Sequence, residues 1–248
     1  MFRLLKVRKA QGWQFVRDIR NADPKGFRGR PQISTQPCVD SCSRCAQVCP
    51  TGAIELNPLR LDLGLCTFCG VCEEVCPAKK IKFTNDYKLS STQRDRLVVG
   101  ESNDTLGAQV SREINRLFKR SLKLRSVSAG GCNACELEMN ALSNVNFDMG
   151  RFGIEFVASP RHADGLVLTG PISKNMAEAL KVTFTAMPEP RFVIAVGTCA
   201  ISGGLYKNSP QIERNFLQLN IPGLYVPGCP PHPLTFLTGI LDLLGRIG

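Results

Sequence analysis

Cysteine is the residue type whose number and spacing promise chemistry here, and all twelve copies fall in short, patterned stretches. Cys38, Cys42, Cys45 and Cys49 form one run, closed by Pro50. Cys66, Cys69, Cys72 and Cys76 form a second, closed by Pro77. In such runs three thiolates wrap one face of an iron–sulfur cube, while the fourth, turned away at the proline, ligates a second cube. The spacing therefore predicts one [4Fe-4S] cluster on Cys38, Cys42, Cys45 and Cys76, and another on Cys66, Cys69, Cys72 and Cys49. The first run holds three residues between Cys38 and Cys42, where the standard pattern holds two. This leaves its potential, and a 3Fe–4S variant, open.

The other four cysteines, Cys132, Cys135, Cys199 and Cys229, stand in GGCNACELE, GTCAISGG and PGCPP. Glycine lets backbone approach a bulky inorganic group, and proline fixes the loop that presents a thiolate. Eight and four leave no thiol over, which points to a third cluster. Zinc also suits four thiolates, but its sites usually pair two CxxC units across a longer gap. A disulfide framework suits a secreted chain. The N-terminal MFRLLKVRKAQGW has neither a long apolar run nor a small-residue cleavage site, so the sequence predicts reduced thiols in the cytoplasm.

The formal net charge of +10 invites an anionic partner. Three clusters of roughly −2 each would bring the loaded chain to roughly +4, so much of the excess balances the cofactors. Nucleic acid is disfavoured, because stacking aromatics and groove-reading motifs are missing. The basic residues Arg94, Arg96, Arg112, Arg116, Lys119 and Arg120 are expected to face an acidic partner surface. A hydrophobic fraction of 43% with 21% charged residues belongs to a folded globular protein. The longest apolar candidate, Phe192 to Leu205, is glycine-broken and too short to span a bilayer.

The elements that must position these thiols divide the chain in four. Residues 1–30 form a basic arm, with Phe2, Leu4, Leu5 and Val7 interleaved with Arg3, Lys6, Arg8 and Lys9. Two readings stand for it, an interfacial helix on a membrane or partner, and an arm packed on its own domain. Residues 31–90 are the cysteine-dense, two-cluster α+β domain, in which Gly52–Glu55 resembles a ferredoxin hairpin. Residues 91–121 are a polar linker and then a helix over 108–121, carrying Val110, Ile114, Leu117 and Phe118. From residue 122 to 248, β-like runs at 122–127, 153–157, 165–168, 191–196 and 223–226 alternate with helical stretches such as 135–142 and 174–184. This predicts an α/β domain with a mainly parallel, flavodoxin-like sheet. Cys132, Cys199 and Cys229 each follow such a strand, at the carboxyl edge where α/β sheets bind ligands.

Residues from about 122 resemble the small subunit of the membrane-bound, formate-hydrogenlyase type of [NiFe]-hydrogenase, a relative of the complex I subunit that carries the last cluster. The matching pieces are Cys132-x2-Cys135, the GxCxxxGG of Gly197 to Gly204, PGCPP, and SPRHAD at Ser159–Asp164. Complex I subunits of this type usually have adjacent cysteines, so the spaced pair favours the hydrogenase branch. Residues 1 to about 90 resemble that enzyme's two-cluster ferredoxin subunit, including FRGRP at Phe27–Pro31, so the chain looks like a fusion of the two. The resemblance implies an electron-transfer subunit with three [4Fe-4S] clusters and no catalytic centre of its own. The last cluster would face the nickel–iron centre of a partner large subunit. It implies further hydrophilic and antiporter-like membrane subunits, a formate dehydrogenase module, and a peripheral position on the cytoplasmic side of the cell membrane. The alternative is the equivalent subunit of a complex-I-like quinone or sulfur reductase without nickel. Glu136 and Glu138, after the CxxC, are candidates for proton relay or for hydrogen bonding around the cluster, although acids at a helix start are favoured anyway. His162 and His232 are candidate hydrogen-bonding or interface groups rather than ligands.

Overall fold

A computed structural model describes residues 2–39, 42–101, 112–118 and 121–246. Helix α1 (Phe2–Gln11) opens the chain, with every side chain exposed. Its apolar residues share no face, so it has no stripe to bury. The cysteine-dense part is built from two small antiparallel sheets. Strand β1 (Pro31–Ile33) pairs with β4 (Ile81–Phe83), while β2 (Ile54–Glu55), β3 (Arg60–Asp62) and β5 (Val98–Val99) form the other sheet in the order β2-β3-β5. Single-turn helices α2 (Arg44–Gln47) and α3 (Val71–Glu74) follow the leading cysteines of each run.

After α4 (Arg112–Phe118), the predicted alternation appears as one five-stranded parallel sheet. Its strands are β6 (Leu122–Ser128), β7 (Ile154–Phe156), β8 (Gly165–Thr169), β9 (Phe192–Val196) and β10 (Leu224–Val226), in the order β10-β9-β8-β6-β7. Its helices are α5 (Ala134–Ala141), α6 (Lys174–Thr185), α7 (Thr198–Ser202), α8 (Asn215–Leu219) and α9 (Pro233–Leu243). The chain turns outward from β6 to β7 and then back past β6 to β8. The strand order thus reverses beside the loop that carries Cys132, a switch point of the kind at which such sheets bind ligands.

Strand alternation sends the sheet's side chains into two cores. Leu122, Leu124, Val167, Ile194, Val196, Leu224 and Val226 pack with α9, which is buried along nearly its whole length. An apolar helix buried on all sides belongs inside a protein rather than on its surface. Leu166, Leu168, Val193, Ala195 and Tyr225 pack on the other face. There they share one continuous core with Leu59, Leu61, Leu63, Leu89 and Leu97 of the cysteine-dense part. Each such buried leucine contributes on the order of 1.5–3 kcal/mol, so the two halves are joined by their own hydrophobic interior.

This junction alters the expected linker. Residues 89–99 are folded into the body of the molecule, with Leu89 and Leu97 fully buried. Ser90 donates to Thr235 O at 2.8 Å, and Ser91 bridges Tyr225 through reciprocal backbone bonds. Serines read as linker because they are polar, yet here their groups are satisfied against α9 and β10. A Cβ on Gly239 of α9 would lie 2.5 Å from Ser90 Cβ, so the contact admits only small residues. Of the expected helix over 108–121, residues 112–118 form α4; Val110, Lys119 and Arg120 lie outside the described residues.

Candidate metal centres

The two N-terminal runs fold so that each lends its last cysteine to the other. Cys38, Cys42, Cys45 and Cys76 line one small cavity walled by Leu59 and Ile81. Cys49, Cys66, Cys69 and Cys72 line a second, walled by Ile54, Leu61 and Phe83. Backbone N–H groups point at the sulfurs: Ala53 donates to Cys49 Sγ at 3.2 Å, Phe68 to Cys66 Sγ at 3.2 Å and Lys80 to Cys76 Sγ at 3.3 Å. Gly70, at φ +84°, leaves no room for a Cβ under the Arg28 guanidinium, which donates to Phe68 O and Cys69 O at 2.8 and 2.7 Å. A second cation borders the first cavity: the buried Lys80 ammonium is held by Gln36 O and Glu101, each at 2.6 Å.

The third set gathers at the carboxyl edge of the parallel sheet. Cys132 follows β6, Cys135 lies in α5, Cys199 in α7 and Cys229 in the loop after β10. Cys135 and Cys199 are partly buried, whereas Cys132 and Cys229 face the surface. Gly197 carries φ +87° and ψ 155°, a conformation open to glycine alone. A Cβ there would stand 2.6 Å from Cys135 Sγ, so the glycine makes space for that thiol. Leu137, two residues beyond Cys135 on α5, and Leu205, in the turn after α7, are 60% and 59% exposed.

The donor set fits an iron–sulfur cluster. Burial, with the neighbouring thiols, pushes Cys66 and Cys135 up to about 12 and Cys72 and Cys199 up to about 11. Thiols so placed stay protonated unless cations share their cavity, and a coordinating metal deprotonates them. A cage with its irons at the corners matches thiols spread around a cavity.

The remaining candidates separate. Burial pushes the Glu136 carboxyl up, but hydrogen bonds from Ser128 and Thr169 outweigh it and hold it below its ordinary value; the Thr169 hydroxyl donates at 2.6 Å. Glu136 thus stays ionised beside Cys135. Glu138 is raised by burial alone. His232 caps α9, its Nδ1 accepting from Leu234 N–H at 3.1 Å, with its ring against Phe27 and Phe147. Burial lowers its pKa and keeps it neutral. His162 is exposed in the turn before β8, next to Asp164, which bonds Lys123 at the start of β6. That is the sheet edge opposite the cysteines, so the structure does not bring His162 to the site.

Thr198 carries no signal of its own in the sequence beyond its place beside Cys199. Its hydroxyl donates to Cys66 O at 2.7 Å, tying α7 directly to the second N-terminal cavity. Lys207 donates to Thr51 O at 2.6 Å, two residues beyond Cys49. The cavity of Cys49, Cys66, Cys69 and Cys72 is therefore the one that touches the third site.

The comparisons with known proteins follow the same division. Residues 59–79 match a 4Fe-4S binding domain. Residues 132–243 match the family described as NADH ubiquinone oxidoreductase, 20 Kd subunit. A probable membrane-bound hydrogenase subunit mbhJ of Pyrococcus furiosus is 34% identical over 149 residues, 59% of this chain and 89% of that protein. The chain belongs to the NADH ubiquinone oxidoreductase 20 Kd subunit family. Another relative of this 20 Kd-type chain, an NADH-quinone oxidoreductase subunit from Geotalea daltonii, is 42% identical over 118 residues, 48% of this chain and 69% of that one. A solved structure of the membrane-bound sulfane sulfur reductase, an archaeal respiratory membrane complex, aligns at a TM-score of 0.44 with 28% identity, over 54% of this chain and 73% of the other. Among the described residues no helix is long and apolar enough to cross a membrane.

Proposed function

We propose that this chain is an electron-transfer subunit of a membrane-attached [NiFe]-hydrogenase complex, of the formate-hydrogenlyase type. It would lie peripherally on the cytoplasmic side, next to a large subunit that holds the nickel. The observation that carries the reading is the sorting of all twelve cysteines into three quartets, the second touching the third through Thr198 and Cys66. Each quartet would hold one [4Fe-4S] cluster, which supplies one-electron chemistry when bound. The chain's residues do the rest. The apolar walls exclude water, and the N–H groups of Ala53, Phe68 and Lys80 draw charge off sulfur, a recognised control on cluster potential. Thr198 fixes the spacing of the two halves. The exposed Leu137 and Leu205, close in sequence to the third set of cysteines, suit a protein partner.

A second reading is an equivalent subunit of a complex-I-like quinone or sulfur reductase without nickel. It draws support from the higher identity to the NADH-quinone oxidoreductase relative. The greater coverage of the hydrogenase relative and the spaced Cys132–Cys135 pair favour the first. Two measurements decide. Anaerobically purified chain should carry about twelve iron and twelve sulfide; zinc without sulfide would end the redox reading altogether. The membrane complex should contain nickel and turn over hydrogen, and Cys135→Ser should stop that turnover while nickel remains in the partner. A nickel-free, hydrogen-inert complex would select the reductase.

A further inference from the structure

Arg214 precedes α8, and its guanidinium reaches beneath α7. One arm donates to Cys199 O at 3.2 Å and Pro171 O at 3.5 Å, the other to Ala200 O at 2.8 Å and Ile201 O at 2.9 Å. Three of these carbonyls belong to the helix that carries Cys199, and Cys199 O is shared with the Gly203 N–H at 2.8 Å. Among the described residues, every acceptor of Arg214 is a backbone carbonyl and none is a carboxylate. Its neighbour Arg94 differs, being paired with both oxygens of Asp62 at 2.8 and 2.6 Å. The Arg214 side chain is itself half-buried. A desolvated cation without a carboxylate is expensive unless another anion lies close. Cys199, whose carbonyl it already holds, is the cysteine of the third site that Arg214 touches.

We propose that Arg214 is a positioning and counter-charge residue of the third site: it anchors α7 so that Cys199 faces the other three thiols, and it raises the reduction potential of the group they hold. This rests on the reading of those thiols as cluster ligands. Reduction adds a negative charge, and a fixed cation at short range in a low-dielectric interior favours the more negative state. The third site then draws electrons from the N-terminal pair. Its counter-ion is built into the chain and does not depend on a partner.

The test is an EPR-monitored redox titration of the full chain, purified anaerobically, with the third signal identified as the one missing from Cys135→Ser. In Arg214→Gln that signal alone should fall in potential by about tenfold in its reduction equilibrium, 59 mV for one electron. Arg214→Lys, which keeps the charge and loses the fork, should retain most of the wild-type value. An unshifted Arg214→Gln overturns the proposal, as does an equal shift in both variants. If Arg214→Gln sheds the cluster, its retention by Arg214→Lys supports the charge role, and its loss from both overturns it. Wild-type chain without any Cys135-dependent signal overturns the ligand reading itself, and does so before an Arg214 variant is made.

Discussion

Thr198 and Arg214 do much for the third site, yet neither belongs to a motif. The cysteines were legible because thiols at short, repeated spacing have few uses. The groups that serve them were not, since a threonine or an arginine gains its meaning only when folding delivers it to a particular carbonyl. His232 is a middle case: its place beside PGCPP marks it in the sequence, but its work is to cap α9. Its folded pKa lies below the ordinary 6.5 because burial disfavours the imidazolium. The stability it contributes is therefore present above pH 6.5 and is lost as pH falls through the depressed value. Urea midpoints measured between pH 7.5 and 5.5 should decline on the acid side in wild type. They should decline less in His232→Asn, which keeps a capping acceptor and removes the titration.

Among the elements, the parallel sheet was the most legible. Its apolar runs are short, bounded by turn residues and separated by helical stretches. The segment 89–99 was not legible, because its serines and charged residues read as solvated while Leu89 and Leu97 alone carry its burial. The glycines between strand and helix combine both lessons, since GTC is visible in sequence but the sulfur that needs the space lies far back along the chain, on α5. In Gly197→Ala, a Cβ 2.6 Å from Cys135 Sγ and a backbone conformation reserved for glycine both count against folding of the site. The cost should be on the order of 1–3 kcal/mol. On the proposed three-cluster reading, visible absorbance should drop by about a third, with the N-terminal pair retained. Full iron content in that variant would show that the loop can yield.

At the scale of the molecule, the cysteine-dense part and one face of the parallel sheet share a core. Leu97→Ala, in the segment between them, should cost about 2–5 kcal/mol. Hydrogen exchange followed by mass spectrometry should show amides of β3 and β8 opening with the same free energy, and that variant should lower both together. Two well-separated free energies would mean that the halves unfold independently. Where two subunits merely dock, the gap between their redox groups is remade at every encounter and weakens on dilution or in strong salt. Here the hydroxyl of Thr198 on the carbonyl of Cys66 sets that gap once, during folding. Exchange across it should accordingly be first order, with a rate indifferent to protein concentration and ionic strength.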